Sequence, residues 1–496
     1  MTSMSCLRRP PAACAAAIFA LSAVLGGCSS DHSDRAISGG SDAALPGGDG
    51  PLPPADGVSS AGDGATPGVD TTFLPTPAPD APPVVVDANS ALDGAVATSS
   101  LQREIDPQVP AADMTTLAAD DAAFAFDLYA LLKQSNGNVV FSPASISLAL
   151  AMTYAGAANG TATEMAQALH FTLPPERLHR AFNALDQTLA ARGQGLTGAD
   201  GGPMRLSLAN SLWLEQTFML LPGFLDTLAV NYGAGLNLVD FMNAPDAARV
   251  RINAWVADQT AGKITDLLAP QTITSNTRLV LANAVYFNAA WLYPFNALYN
   301  HSNNFTLLDG TITTKNYMYS ALSIGAMQGT GFAAAALPYQ DTRLAMVLVV
   351  PDLGRFAEVE ASLDATSFAA LMKGLTNQKV DLYLPQFHID TRASLKAMLA
   401  SLGMPSAFTP GADFSGMSTE PLYISEVIHQ AFVNVAEKGT EAGAATAVVL
   451  ADASLAGDAG PPPLLIKAER PYLYFIYDVP TGAMLFMGRV LEPIQN

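Results

Sequence analysis

The chain has 496 residues, half of them apolar, enough to bury a large core, and at roughly 150 residues per domain its length alone suggests three domains. Its 24 basic and 44 acidic side chains leave a formal net charge of −20, with no surplus for neutralising phosphates and no basic cluster for anionic lipid. Plentiful aliphatic and aromatic residues exclude disorder throughout, and a single long apolar stretch, at the N-terminus, excludes a membrane channel.

In chain order, Arg8 and Arg9 come first, followed by a mainly apolar run over residues 12–25 that is short for a membrane span. The run ends in Leu25-Gly26-Gly27-Cys28. Residues 1–27 therefore resemble a bacterial lipoprotein signal, in which the cysteine after two small residues, here Cys28, is lipidated and becomes the new N-terminus. An ordinary cleaved signal with an incidental cysteine is the plainer alternative. In the lipoprotein reading Cys6 and Cys14 are removed, so the exported fold has no disulfide and depends on its core. The resemblance implies a chain anchored to the cell envelope, or extracellular, and Ser29 after the cysteine favours the outer membrane.

Residues 28–112 are dominated by Gly, Pro, Ser, Ala and Asp, as in Pro46-Gly47-Gly48-Asp49-Gly50-Pro51 and Pro75-Thr76-Pro77-Ala78-Pro79. Without apolar periodicity nothing offsets the entropy of ordering, so this stretch reads as a disordered tether. Thirteen acids and two bases between residues 31 and 113 place much of the negative charge here. A flexible stretch of about 84 residues reaches on the order of 50 Å, enough to hold a domain off a membrane.

From 113 to 496 the pattern is globular. Leu117, Phe124, Leu128 and Leu131 are spaced for a helix over 114–133, and Leu178, Phe182, Leu185 and Leu189 for another over 177–192. Apolar runs at 206–214, 277–287, 344–351 and 380–384 predict buried strands. Helices and strands come in blocks rather than in alternation, which points to an α+β fold.

Enzyme signatures are missing. No G-x-S-x-G, H-E-x-x-H or P-loop occurs, and six histidines are scattered without a Cys/His set at ligand spacing, so no catalytic residue, metal site or cofactor is expected. Gly193-Gln194-Gly195-Leu196-Thr197-Gly198 matches G-x-G-x-x-G, but it follows a helix instead of a strand and reads as a polar loop.

Longer segments are more telling. They include Asn138-Val139-Val140-Phe141-Ser142-Pro143-Ala144-Ser145-Ile146-Ser147 and Gly156-Ala157-Ala158-Asn159-Gly160-Thr161-Ala162-Thr163-Glu164-Met165. After them come Ile252-Asn253-Ala254-Trp255-Val256, Thr260-Ala261-Gly262-Lys263-Ile264 and Leu281-Ala282-Asn283-Ala284-Val285-Tyr286-Phe287 with Trp291 and Phe295. Pro471-Tyr472-Leu473-Tyr474-Phe475 and Leu485-Phe486-Met487-Gly488-Arg489-Val490 close the series. In this order, across 113–496, they resemble the serpin family of serine protease inhibitors. The resemblance overrules the length prior and implies one domain with three β-sheets, eight or nine helices and an exposed reactive-centre loop.

Glu437-Lys438-Gly439-Thr440-Glu441-Ala442-Gly443-Ala444-Ala445-Thr446-Ala447-Val448-Val449 is the informative stretch. Read at period two, Thr440, Ala442, Ala444, Thr446 and Val448 share one uncharged face, and Glu441 falls on the other, toward solvent. Such a segment can enter a sheet as an interior strand without burying a charge, and no proline interrupts it before Pro461. By resemblance, Glu437 to Ala445 form the hinge of the reactive loop. Their small residues match inhibitory members, and a non-inhibitory carrier or surface-binding member is the alternative.

The resemblance implies a suicide substrate. A target serine protease would form a covalent acyl complex at Ala453-Ser454, or at Leu455-Ala456 or Asp452-Ala453, because the loop is longer than usual. Insertion of the cut loop into the central sheet would then trap the protease. Ala453 suits elastase-like or subtilisin-like pockets, and the absence of Arg or Lys between Val448 and Leu465 argues against trypsin-like ones. The partner set is thus a protease, with membrane contact only through lipid, no nucleic acid, and a monomeric chain.

Four more residues match the family's shutter beneath the central sheet: Ser142, Ser145, Asn283 and His429. Their apolar surroundings favour structural hydrogen bonding over a nucleophile. Trp291 matches the breach, where the loop first enters. Asn288-Ala289 stands where the family has Lys-Gly, and a weakened local pairing is expected there. Arg177, Arg180 and Arg192 form no dense basic face, so polyanion activation is not expected.

Overall fold

The computed structural model describes residues 95–441 and 461–495. Its helices are α1 (Ala111–Leu132), α2 (Pro143–Tyr154), α3 (Asn159–Ala168), α4 (Pro175–Ala190), α5 (Pro222–Tyr232), α6 (Pro245–Gln259), α7 (Phe356–Ser362), α8 (Ala365–Gly374) and α9 (Lys396–Ser401). The strands begin with β1 (Val96–Ala97), β2 (Val139–Phe141), β3 (Arg205–Glu215), β4 (Leu236–Val239), β5 (Leu279–Ala290), β6 (His301–Thr306), β7 (Ile312–Gly329) and β8 (Phe332–Pro338). They continue with β9 (Leu344–Pro351), β10 (Thr376–Pro385), β11 (Phe387–Ser394), β12 (Ile424–Ala436), β13 (Gly439–Thr440), β14 (Leu464–Lys467), β15 (Tyr472–Asp478) and β16 (Met484–Val490).

Local chemistry explains several boundaries. Pro143, Pro175, Pro222 and Pro245 open α2, α4, α5 and α6, where a missing N–H costs nothing. Asp364 caps α8 by accepting the Ser367 N–H at 2.7 Å. Gly233 ends α5 in the left-handed conformation that a side chain disfavours. The two helices and four strands predicted from spacing all occur, as α1, α4, β3, β5, β9 and β10. β5 runs on to Ala290 because every one of its twelve residues is buried.

One sheet has the order β1-β4-β3-β5-β13-β12-β11, and the other strands follow β14-β10-β7-β8-β9-β15-β16-β2 with β6 also on β7. The 18-residue β7 is long enough to join two groups of strands within the second sheet. Its first part pairs with β6 and β10, and its end, from Ala326, with β8. The architecture is therefore α+β, with a seven-stranded sheet, a second, nine-stranded one and nine α-helices among the described residues.

Alternation along β5 divides the interior. Leu279, Leu281, Val285, Phe287 and Ala289 face the main core with α2 and β16. Val280, Ala282, Ala284 and Tyr286 face a smaller core roofed by Ile252 and Val256 of α6. Asn283 is on the first of these faces, beneath the sheet.

Residues 95–110 depart from the tether assigned to them by composition. Val96 and Ala97 pair with Asn237 and Leu236 at the sheet edge. Arg103 donates to Asn183 Oδ1 at 2.8 Å and Asp186 Oδ2 at 2.6 Å, and Glu104 pairs with Arg180. These contacts are largely polar and join residues distant in the chain, so local apolar periodicity could not announce them.

Candidate functional site

Two clusters lie along the line where β5 meets β12. At the lower one, Asn283 and His429 are direct partners across the parallel pair. His429 Nδ1 bonds Asn283 Oδ1, Asn283 Nδ2 donates to Ser145 Oγ at 2.7 Å and also to Asn210 Oδ1, and Ser145 Oγ donates to Asn210 Oδ1 at 3.1 Å. The second imidazole nitrogen accepts the Ser142 N–H at 3.2 Å. Both ring nitrogens are therefore committed, one as donor and one as acceptor, which requires the neutral ring. Burial drives its pKa down to about 3.

This is not a hydrolytic arrangement. The lone pair that a general base needs is taken by a backbone amide, and the Ser142 hydroxyl has no partner among the described residues. The structure thus gathers Ser145, Asn283 and His429 with the backbone, not the side chain, of Ser142. Asn210, opposite Asn283 on β3, completes the set and was missed. Asn210 and Ser211 interrupt the apolar strand at 206–214, but nothing local joins Asn210 to Asn283.

At the upper cluster the two strands separate and β13 lies between them. Gly439 and Thr440 pair with Ala436 and Val435 of β12 on one side, and with Ala290 and Ala289 of β5 on the other. The preceding residues are also held. Trp291 N and Phe295 N donate to the carbonyls of Lys438 and Glu437, both at 2.8 Å, and Gln386 Nε2 reaches Glu437 Oε1 at 2.6 Å. Trp291, fully buried, donates Nε1–H to Ala436 O at 3.0 Å and stacks on Tyr339 with centroids 4.5 Å apart. Tyr339 in turn places its hydroxyl 2.7 Å from Thr440 Oγ1.

Gly439 is required by space. A Cβ there would stand 2.1 Å from Ala289 O and 2.8 Å from Ala199 Cβ. Ala199 belongs to the loop after α4 that carries the G-x-G-x-x-G match, and that loop roofs the cluster. Asn288 Oδ1 accepts the Ala199 N–H at 2.8 Å, and its Nδ2 donates to Asp200 Oδ1 at 2.6 Å. The expected weakness at Asn288-Ala289 is therefore not found. Asn288 ties β5 to the roof, and Ala289 keeps its ladder to Thr440.

Glu441 corrects a second expectation. It does not face solvent as the period-two reading required. Its backbone turns into the left-handed region at φ 61°, ending β13, and its side chain is only 8% exposed beneath Lys263. Alternation stops where the strand stops. Ala442, Gly443, Ala444 and Ala445 of the hinge, the Ala453-Ser454 bond and Cys28 lie outside the described residues.

The three arginines noted for a basic face are each engaged by carboxylates: Arg177 by Asp113, Arg180 by Glu104, and Arg192, buried, by Asp478.

A family model described as serpin (serine protease inhibitor) matches residues 119–493. An uncharacterised serpin-like protein of Thermococcus kodakarensis is 37% identical over 372 residues, covering 75% of this chain and 84% of that one. The leukocyte elastase inhibitor of Xenopus laevis is 34% identical over 391 residues, covering 77% of this chain and all of its own length. Among solved structures, the native state of the thermophilic serpin tengpin matches with a TM-score of 0.68 at 29% identity, covering 80% of this chain and 97% of that one. The chain belongs to the serpin family.

Proposed function

We propose that the chain is an irreversible inhibitor of serine proteases, a suicide substrate that traps the acyl-enzyme by inserting its cut loop between β5 and β12. One observation carries this reading. β13 is already paired on both sides, while below it β5 and β12 still pair directly, from Val285–Ala431 down to Leu279–Ile424.

Extending the β13 register shows what insertion demands. Ala442 would come level with Phe287 and Val433, Thr446 with Asn283 and His429, and Val448 with Leu281 and Val427. These even-numbered residues would point into the main core like Thr440, and none carries a charge. Gly443 would pass level with Tyr286 and Phe432, whose rings, now 5.9 Å apart on the α6 face, would have to part as the strand enters. For Thr446 to arrive, the Asn283–His429 bond must open. The lower cluster is thus a hydrogen-bonded closure that the entering strand has to part.

In the reaction, the protease's serine Oγ adds to the Ala453 carbonyl and the Ser454 amine leaves, producing the ester that insertion carries away from its deacylating water. The small Ala453 and the likeness to leukocyte elastase inhibitors support elastase-like or subtilisin-like targets. The same reading removes residues 1–27, lipidates Cys28 at the outer membrane, and leaves a monomeric domain on a tether that ends by residue 94 rather than 112.

Incubation with pancreatic elastase and with subtilisin tests the reading on a denaturing gel. A covalent complex stable to SDS is expected. Loop cleavage without complex would instead identify a non-inhibitory member, and neither product would remove proteases from the account.

A further inference from the structure

Glu441 interrupts the strand it follows, and it does so at a cost. A glutamate at φ 61° occupies a region that side chains other than Gly, Asn and Asp avoid. Its carboxylate is buried, and Oε2 has no hydrogen-bond partner among the described residues. Two contacts offset this. Lys263 Nζ pairs with Oε1, and the Glu441 N–H donates to Asn434 O at 2.5 Å.

The position of Lys263 gives the pair its meaning. Lys263 lies just beyond α6, the helix that roofs the face of the sheet on which Tyr286 and Phe432 lie. Burial and then the neighbouring Glu441 carboxylate raise the Tyr286 phenol pKa. The ion pair therefore ties the helix over the sheet to the residue at which β13 ends. Above, Ala199 and the Asn288–Asp200 contact roof the hinge, and Tyr339 holds Thr440 from below.

We propose that Glu441, clamped by Lys263, is a positioning residue that arrests the loop with two residues inserted and sets the rate at which the rest enters. This rests on the insertion reading above and deepens it. Residue 442 cannot pair until Glu441 swings from φ 61° to an extended conformation, and that swing pulls its carboxylate out from under Lys263. The stop is sequence-encoded but reversible, since the pair is half open on the lysine side, with 46% exposure.

Trp291, in contact with the hinge, supplies the reporter. Stopped-flow tryptophan fluorescence after mixing with excess subtilisin follows loop entry for the parent chain and for Glu441→Gln. The variant should insert about tenfold faster, because a charge-assisted contact present only in the arrested state is gone. Lys263→Arg, which keeps the pair, should stay within about twofold of the parent. Glu441→Ala serves if the glutamine variant does not fold. Folded Glu441 variants that insert at the parental rate or slower overturn the proposal. A parent chain that is cleaved with neither a fluorescence phase nor an SDS-stable complex overturns the insertion reading itself, a result distinguishable from the first.

Discussion

Thr440 Oγ1 and Tyr339 Oη meet at 2.7 Å in a pocket closed to solvent, so the second residue of β13 is held by its side chain as well as by ladders on both sides. Replacing it with arginine would force a guanidinium into the space between Tyr339 and the sheet. Burying such a charge costs several kcal/mol. Thr440→Arg should therefore withdraw the hinge, slow insertion and let deacylation win. Active-site titration of subtilisin should then need about ten or more molecules of the variant per protease, where the proposed mechanism expects close to one of the parent. An unaltered stoichiometry refutes insertion through this position.

Gly439→Ala probes the neighbouring residue by size alone. The added methyl would press on Ala289 O, a backbone atom of a fully buried strand, and on the Ala199 side chain of the roof. Backbone on one side leaves little room to yield, and overpacking of this kind costs about 1–3 kcal/mol. The variant should lose the β13 pairings while keeping β5 and β12, which hydrogen exchange at the Thr440 and Ala290 amides would report as faster exchange. Protection equal to that of the parent would show that the roof gives way.

The contrast between these residues and their surroundings shows what was legible in the sequence. Leu178, Phe182, Leu185 and Leu189 repeat at helical spacing and became one face of α4. The small, uncharged face that includes Thr440 marked a segment able to lie between strands. Asn210, Tyr339 and Lys263 were silent because their partners are distant in the chain. Tyr339 and Thr440 are 101 residues apart, and Asn210 and Asn283 are 73 apart. Glu441 was misplaced for a different reason. Periodicity assumes a continuous strand, and a buried ion pair with a left-handed backbone ended it. The G-x-G-x-x-G match lies in the loop after α4, and its role as a roof could be seen only once Asn288 was beside Ala199.

Acid should weaken the native state. Unfolded, the His429 ring titrates near 6.5, and in the fold burial holds it near 3. His179, buried against Tyr232, is likewise driven to about 4. Between those values the unfolded chain binds protons that the folded chain does not, so stability is lost as pH falls from about 6.5. Asp121 opposes this, because burial raises its carboxyl from 3.8 to about 7 and the folded chain keeps a proton that the unfolded chain releases. Asp120, also raised by burial, adds to the opposition at the acid end. Near pH 6 two histidines face one carboxylate, for a net slope of up to about 1.4 kcal/mol per pH unit. The thermal midpoint should be lower at pH 5.5 than at pH 7, Asp121→Asn should steepen the change, and His429→Gln should flatten it. A midpoint that rises on acidification would contradict the assignment.

Cutting the chain between residues 450 and 456 isolates the sheet's capacity to accept a strand, with no inhibition chemistry involved. If the β13 register continues, Val448 and Leu450 enter the main core, and fully burying such side chains is worth about 1.5–3 kcal/mol each. Ladders on both sides of the inserted strand add to this, at about 1 kcal/mol per hydrogen bond before ordering entropy. A net gain of about 5 kcal/mol would lift the midpoint on the order of 10 °C for a domain of this size. Differential scanning calorimetry of intact and nicked protein, with the fragments kept together, measures it directly. An unchanged or lowered midpoint after nicking would mean that β5 and β12 do not open below Val285, and that β13 is only a local clasp at the top of the sheet.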